Sequence, residues 1–309
     1  MCSDARGRAG VSIVIPTFNR RHTLQAVLPS YLRQRNLHEV IVVVDGSTDG
    51  TAAWLQSVAR DEPQLRVKVL EKQVGVSAAR NHGIREAVGE YTLFGEDDLY
   101  LSDDYAATLI EHLRARDADI IGGRIIYQAE HENPHESVWR CDAVFGARRL
   151  INPFLMSVCY QKKLDDDVFV PTLHAIALGR TETFQQGLLF DETFRYREET
   201  ELYLRAVEKG LKIVLCPHTL CFHLPRDRSK GGGWSEHLLK HHVAVMESNK
   251  RLLRRYYPVL RAWGMRGNGS TFMALHAINR LRLLCLYLSP VIMNGTLRGE
   301  GTYRADRSA

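Results

Sequence analysis

No two of the six cysteines stand close enough for a C-x-x-C pair; Cys2, Cys141, Cys159, Cys216, Cys221 and Cys285 are scattered along 309 residues. That excludes a zinc ribbon and a disulfide scaffold, and it fits a reducing compartment. Long hydrophobic runs are missing too. The longest, Leu283–Met293, falls well short of the roughly 20 residues a spanning helix needs, and Arg280 and Arg282 precede it. It reads as a buried helix or as an interfacial one that is basic on one side. The first ten residues, MCSDARGRAG, carry charge but no apolar segment, so a secretory signal is not expected. A cytoplasmic location, peripheral at the membrane face if the interfacial reading holds, is the expectation. Repeats and low-complexity segments are absent. Neither G-x-G-x-x-G nor G-x-x-x-x-G-K-[ST] occurs, which removes the two commonest phosphate loops. A diphosphate would need another clamp, such as a metal held by carboxylates.

Hydrophobic residues make up 45% and charged residues 25% of the chain, the balance of an ordinary globular protein. The net charge of +5 is unevenly placed. From Lys240 onward there are twelve lysines and arginines against three acids, +9, so the body carries −4. This basic end suggests an anionic partner, such as a membrane surface or a phosphorylated substrate, or else a solvated helical face. Nucleic acid is not expected, because aromatics are not interleaved with the basic residues.

Strand and helix patterns alternate in the first half. SIVIP (Ser12–Pro16), VIVVVD (Val40–Asp45), RVKVLE (Arg66–Glu71) and YTLFG (Tyr91–Gly95) read as strands. VIVVVD is continuously apolar, as a strand buried on both faces should be, and RVKVLE alternates like an edge strand. Helical spacing covers Arg21–Gln34, Ala52–Arg60 and Gly75–Gly89. The βαβ order predicts a doubly wound, mostly parallel sheet with helices on both faces. The second half is less regular. Asp119–Tyr127 reads as a strand, Gln128–Asp167 as loop-rich, with Asn-Pro pairs at Asn133–Pro134 and Asn152–Pro153, Glu198–Gly210 as a helix, and KIVLCP and TLCFH as two short strands around Pro217. KGGGW (Lys230–Trp234) reads as a flexible loop, followed by helices near 235–257 and 271–288. The chain divides into a first half (1–123), a second half of the same domain (124–225) and a flexible loop with a basic helical C-terminal region (226–309).

The chemistry concentrates at the predicted strand ends. YTLFGEDDLYL runs an apolar strand directly into Glu96, Asp97 and Asp98. Such an end lies where α/β sheets bind ligands, and x-D-x-D carboxylates can share a hard divalent cation, Mn²⁺ or Mg²⁺. The bland alternative is an acidic turn. PTFNR (Pro16–Arg20), DGSTDGT (Asp45–Thr51) and GVSAARN (Gly75–Asn81) should meet it at the same edge. There Asp45 can accept from the N–H of a base, and the backbone near Thr17 can contact base or ribose. Arg80 can neutralise a diphosphate, Glu96 can accept from ribose hydroxyls, and Asp98 can hold the metal. The acid run Asp165–Asp167 has no motif around it and reads as solvated surface.

These segments, in this order and spacing and together with FDETFRYREETELYLRAVEKG, resemble the family 2 glycosyltransferases of the GT-A fold from about Val11 to Pro225. The resemblance implies a nucleotide-sugar donor (most often UDP-linked), a divalent metal and inversion at the anomeric carbon. It assigns the donor to Pro16, Thr17, Asn19, Asp45, Arg80, Glu96 and Asp97. Asp45 matches the acid that contacts the base, and Val44 stands where the family usually has a second acid. Glu96 and Asp98 match the D-x-D pair, with Glu in the first place. Glu198 and Glu199 match the E-D pair before a helix, which points to Glu199 as catalytic base with Glu198 beside it. His223 matches a histidine after the last strand, a metal ligand or diphosphate contact. The acceptor could be a glycan, a lipid-linked sugar or a small molecule. A sugar-phosphate nucleotidyltransferase would share the fold and acids but usually opens with a Gly-rich loop after strand one, and PTFNRRHT has no glycine. A non-catalytic nucleotide-sugar-binding protein is the other alternative.

Overall fold

The computed structural model describes residues 8–225, Arg228 and residues 238–288. Four parallel strands open the sheet: β1 (Arg8–Thr17), β2 (Leu37–Asp45), β3 (Leu65–Leu70) and β4 (Gly89–Phe94). Their order is β3-β2-β1-β4, so the alternating strand does lie at the edge. Val40 to Val44 of β2 are all fully buried, as the unbroken apolar run requires. Helices α1 (Arg21–Leu32), α2 (Thr51–Val58) and α4 (Tyr105–Ala115) cover one face. Helices α3 (Val76–Glu86), α6 (Thr181–Gln185) and α7 (Glu198–Glu208) cover the other. This is the GT-A architecture with additional C-terminal helices.

The close seat of α3 depends on one glycine. A Cβ on Gly83 would stand 2.3 Å from Val14 Cγ1. Gly83→Ala gains up to ~1 kcal/mol of helix propensity, but overpacking of about 1–3 kcal/mol works against it. We expect a net loss in urea denaturation. Unchanged or higher stability would show that Val14 has room to yield.

Beyond β4 the sheet departs from the parallel pattern. The remaining strands are β5 (Leu99–Leu101), β6 (Ile120–Tyr127), β7 (Ile151–Asn152), β8 (Ser157–Val158), β9 (Val168–Phe169), β10 (Leu178–Arg180) and β11 (Ile213–His223). The order continues β4-β10-β6-β11-β5, with β10 antiparallel to both neighbours and β5 antiparallel to β11. Because β6 runs through residue 123, the sheet itself does not break where the two sequence halves meet.

Three sequence expectations need correction. The segment Gln128–Asp167 is not all loop: it contains α5 (Pro134–Phe145). Asn133 caps this helix and Pro134 opens it. Asn133 and Glu136 form a reciprocal capping box, each side chain accepting from the other's backbone N–H at 3.0 Å. KIVLCP and TLCFH form one strand, β11. Pro217 passes where the register with β6 slips between Cys216 and Leu220, so its missing N–H costs no ladder bond there. The acid run is solvated only at Asp165 and Asp166. The Asp167 side chain is 2% exposed, pairs with His112 at 2.7 Å and accepts from Arg116 Nε at 3.1 Å.

At the C-terminus, α8 (Leu238–Ala262) and α9 (Gly269–Leu288) pack against α7 around Leu204, Leu252, Tyr256, Leu260 and Phe272. α8 kinks at Tyr256 because Pro258 clashes with the preceding turn. Tyr256 donates to buried Glu201 at 2.6 Å. Arg255 lies 3.6 Å from the same carboxylate, and Arg251 donates to the Thr193 carbonyl at 2.9 Å. Part of the basic charge therefore faces the body of the protein. No helix of the described residues is long and apolar enough to cross a membrane. The KGGGW loop and the run beyond Leu288 lie outside the described residues.

Candidate active site

The four predicted segments meet at the carboxyl edge of β1, β2 and β4. Pro16 and Thr17 close β1 beside Val43 and Val44 of β2. Asn19, with φ +52°, turns so that its Oδ1 accepts from Thr48 N at 2.7 Å and its own N–H donates to Ser47 Oγ at 3.0 Å. The loops after β1 and β2 are thus tied together. Both oxygens of buried Asp45 accept from the backbone before α3, from Val74 N at 2.7 Å and Gly75 N at 2.9 Å. Asp45 therefore holds the loop that leads to Arg80, and each oxygen keeps a lone pair for a ligand.

The acid run is held from three sides. Thr17 Oγ1 donates to Asp97 at 2.8 Å. Arg20 donates to Asp97 at 3.0 Å and to Asp98 at 2.6 Å. Tyr31 Oη bonds both backbone groups of Glu96, donating to its carbonyl at 2.9 Å and accepting from its N–H at 3.1 Å. Burial, against the pull of Arg20, pushes the Asp97 carboxyl up to about 6. Sequence reasoning missed Arg20 and Tyr31. Tyr31 sits at a core position of α1, and nothing in the spacing told its hydroxyl apart from an ordinary buried one.

His223 comes to this edge from β11. Its Nε2 lies 3.7 Å from Asp98 Oδ2, and its Nδ1 bonds the Leu224 carbonyl at 2.7 Å. A carbonyl only accepts, so Nδ1 carries the hydrogen, and Nε2 of the neutral ring presents its lone pair toward Asp98. One carboxylate oxygen and one oriented imidazole nitrogen suit Mn²⁺, or Mg²⁺ with more water in its shell. These residues fit a divalent cation.

On the other side, one guanidinium gathers three carboxylates. Arg80, 1% exposed, lies 2.9 Å from Glu96, 3.4 Å from Glu198 and 3.5 Å from Glu199. Burial works against its charge, but Glu199, Glu96 and Glu198 hold its pKa above that of an ordinary arginine. Burial, with a smaller contribution from Glu199, pushes Glu198 up to about 8. Burial also raises Glu96 to about 8 against the opposing Arg80. Glu198 and Glu199 open α7, preceded by Arg197 at φ +64°. Glu199 is the more accessible of the pair, with 23% of its side chain exposed against 9% for Glu198. At neutral pH the raised Glu198 carboxyl keeps its proton, and Glu199 is the carboxyl more open to an incoming hydroxyl.

The elevated Glu198 has a consequence for stability. Its folded pKa of about 8 exceeds the ordinary 4.5, so the unfolded chain releases this proton first as pH rises. The group's contribution to stability is full below 4.5 and is lost as pH climbs toward 8. Glu198→Gln should flatten the decline of melting temperature between pH 5 and pH 8, the window set by those two values. An equally steep decline in the variant would contradict the assignment.

The model of the family described as glycosyl transferase family 2 matches residues 12–187, more than half of the chain. The chain belongs to glycosyl transferase family 2. Among its relatives, the uncharacterized glycosyltransferase EpsJ of Bacillus subtilis is 27% identical over 207 residues, 66% of this chain and 58% of that protein. The chain therefore spans little more than half of that relative's length. Two solved structures share the fold. TarS 1-349 of S. aureus with UDP-GlcNAc aligns at TM-score 0.57 and 18% identity over 79% of this chain and 66% of that one. The mannosyltransferase PcManGT of Pyrobaculum calidifontis, with GDP-Man and Mn²⁺, aligns at TM-score 0.58 and 16% identity over 97% and 81%.

Proposed function

We propose that this protein transfers a sugar, with inversion, from a nucleoside-diphosphate sugar (a UDP sugar, as in the TarS complex) to an acceptor hydroxyl. The observation that carries this reading is Arg80, which draws Glu96 of the donor edge and Glu198 and Glu199 of α7 to one guanidinium. Glu199 takes the proton of the acceptor hydroxyl as its oxygen forms the bond to the anomeric carbon. The bond from that carbon to the diphosphate breaks with its electron pair on the leaving group. Thr17, Asn19, Asp45 and Asp97, with the backbone at Pro16, bind the nucleoside side of the donor. Glu96 takes ribose hydroxyls, and Arg80 faces the diphosphate. A divalent cation held by Asp98 with His223 would supply positive charge to the departing diphosphate. The PcManGT complex contains Mn²⁺, which supports that expectation. In this reading residues 1–123 bind the donor, and 124–225 supply base and acceptor contacts.

Calorimetry with UDP tests the donor site. Asp98→Ala should weaken Mn²⁺-dependent UDP binding about tenfold or more, the scale of one lost charged contact. Equal affinity in the variant, or equal wild-type affinity in EDTA, would overturn the metal assignment. Peripheral attachment through the basic C-terminal region is tested by co-sedimentation with liposomes. Anionic vesicles should bind the protein at low salt and release it as ionic strength rises, and neutral vesicles should not bind it. No preference for anionic lipid would leave those helices as ordinary folded structure.

A further inference from the structure

One carboxylate oxygen at the ligand edge faces two cationic positions. Asp98 Oδ2 accepts from Arg20 Nη1 at 2.6 Å, and the same oxygen faces His223 Nε2 across 3.7 Å. Bonds of ~2.1 Å from one divalent cation to each of those two atoms span such a gap. The cation and the guanidinium would then stand side by side on Asp98. The oxygen has a lone pair for each, so shape does not choose between them and charge does. A double and a single positive charge a few ångströms apart repel strongly where water is scarce. Here only 10% of the Asp98 side chain and 17% of the Arg20 side chain are exposed.

Arg20 is built so that its side chain can leave while its backbone stays. It caps α1, and its carbonyl accepts from Leu24 N at 3.0 Å and from Thr23 Oγ1 at 2.8 Å. The next residue is tied down as well, with Arg21 N donating to Asp49 at 3.0 Å. Departure of the guanidinium strands neither acid. Asp98 would receive the metal, and Asp97 keeps Thr17 Oγ1 at 2.8 Å on Oδ2 when Arg20 Nη1 releases Oδ1 at 3.0 Å. Arg80 serves Glu96 instead, and no other arginine or lysine of the described residues pairs with Asp97 or Asp98. Arg20 is therefore the side-chain cation that answers the charge of this pair while the site holds no metal.

We propose that Arg20 is the resident counter-cation of the metal site, and that it yields Asp98 to a divalent cation when a nucleoside diphosphate arrives to take its charge. This deepens the donor-site reading and rests on it. Without nucleotide, Arg20 neutralises Asp98 and keeps the metal weakly bound. With nucleotide, the diphosphate lies between the two cations. Some of its oxygens meet the metal on Asp98 and His223, and others meet the planar fork of Arg20. Metal and donor then bind as a unit, each raising the affinity for the other.

Calorimetric titration of the metal-free protein with Mn²⁺, alone and together with UDP, is the test. Arg20→Gln should bind Mn²⁺ alone about tenfold or more tightly than wild type, and UDP at saturating Mn²⁺ about tenfold or more weakly. The opposite signs are the signature, because a merely structural role for Arg20 would weaken both. Arg20→Lys keeps the charge and should bind Mn²⁺ alone much as wild type does. In the double variant Arg20→Gln with Asp98→Ala the gain should vanish, which places it at this site. Mn²⁺ binding in Arg20→Gln no tighter than in wild type, unchanged UDP affinity, or a gain that survives the loss of Asp98 would overturn the proposal. UDP that fails to bind wild type at any Mn²⁺ concentration strikes at the transferase reading, while the comparison with Mn²⁺ alone still decides whether Arg20 guards the metal site.

Discussion

Glu199→Gln should lower kcat by ~10² or more while leaving UDP affinity intact, the scale of a lost general base. The amide keeps the size of the side chain and removes its basicity. Glu198→Gln should keep most of the activity, because an amide resembles the protonated carboxyl that a pKa of about 8 imposes on Glu198 at neutral pH. The contrast between the two variants is the informative measurement. Loss in Glu198→Gln with full activity in Glu199→Gln would transfer the role of base to Glu198. Activity in both would refute a carboxylate base at the start of α7. Steady-state kinetics with separate kcat and KM, beside UDP calorimetry, keeps a binding defect from passing for a chemical one.

Removing Arg80 should be the most destabilising change of charge at this site. Arg80→Gln leaves Glu96, Glu198 and Glu199 around a buried position with no cation, and breaking a buried pair in this way costs about 3–5 kcal/mol. The deficit should grow as pH rises through about 8, where Glu96 and Glu198 ionise. It should shrink toward pH 5, where protonation relieves the repulsion. Arg80→Lys should recover part of the loss, since it keeps the charge but not the fork that reaches several carboxylates. Urea denaturation at the two pH values checks this. A loss below about 1 kcal/mol at pH 8 would mean that the glutamates do not depend on Arg80.

The same residues show how much was legible beforehand. Each predicted segment reached the expected edge because strand polarity follows from the βαβ order, and the edge collects the carboxyl ends of β1, β2 and β4. Asp98 and His223, 125 positions apart, were linked only through resemblance until β11 brought them to 3.7 Å. Asp45 was read as a base contact, yet its two oxygens also fasten the loop before α3, a backbone bond that no residue pattern announces. Asp167 was misread because an acid in a loop takes its environment from what crosses it, here His112 and Arg116 of the α4 region. The charge of the C-terminal region was counted correctly, but a count does not say that Arg251 and Arg255 turn toward Thr193, Asp191 and Glu201.

By itself the sequence determined the alternation of strands and helices, the burial of β2 and the edge place of β3. It also determined which segments carry carboxylates to the ligand edge. These follow from hydrophobic periodicity and chain order, which act over a few residues at a time. The tertiary structure alone decided that β10 enters the sheet antiparallel and that β11 runs through Pro217. It alone decided that one arginine serves three glutamates. Those outcomes depend on which side chains meet across more than a hundred residues, and on whether burial leaves each charge a partner. Local propensity holds no information about either, because the energy of a buried charge is set by its neighbours in space.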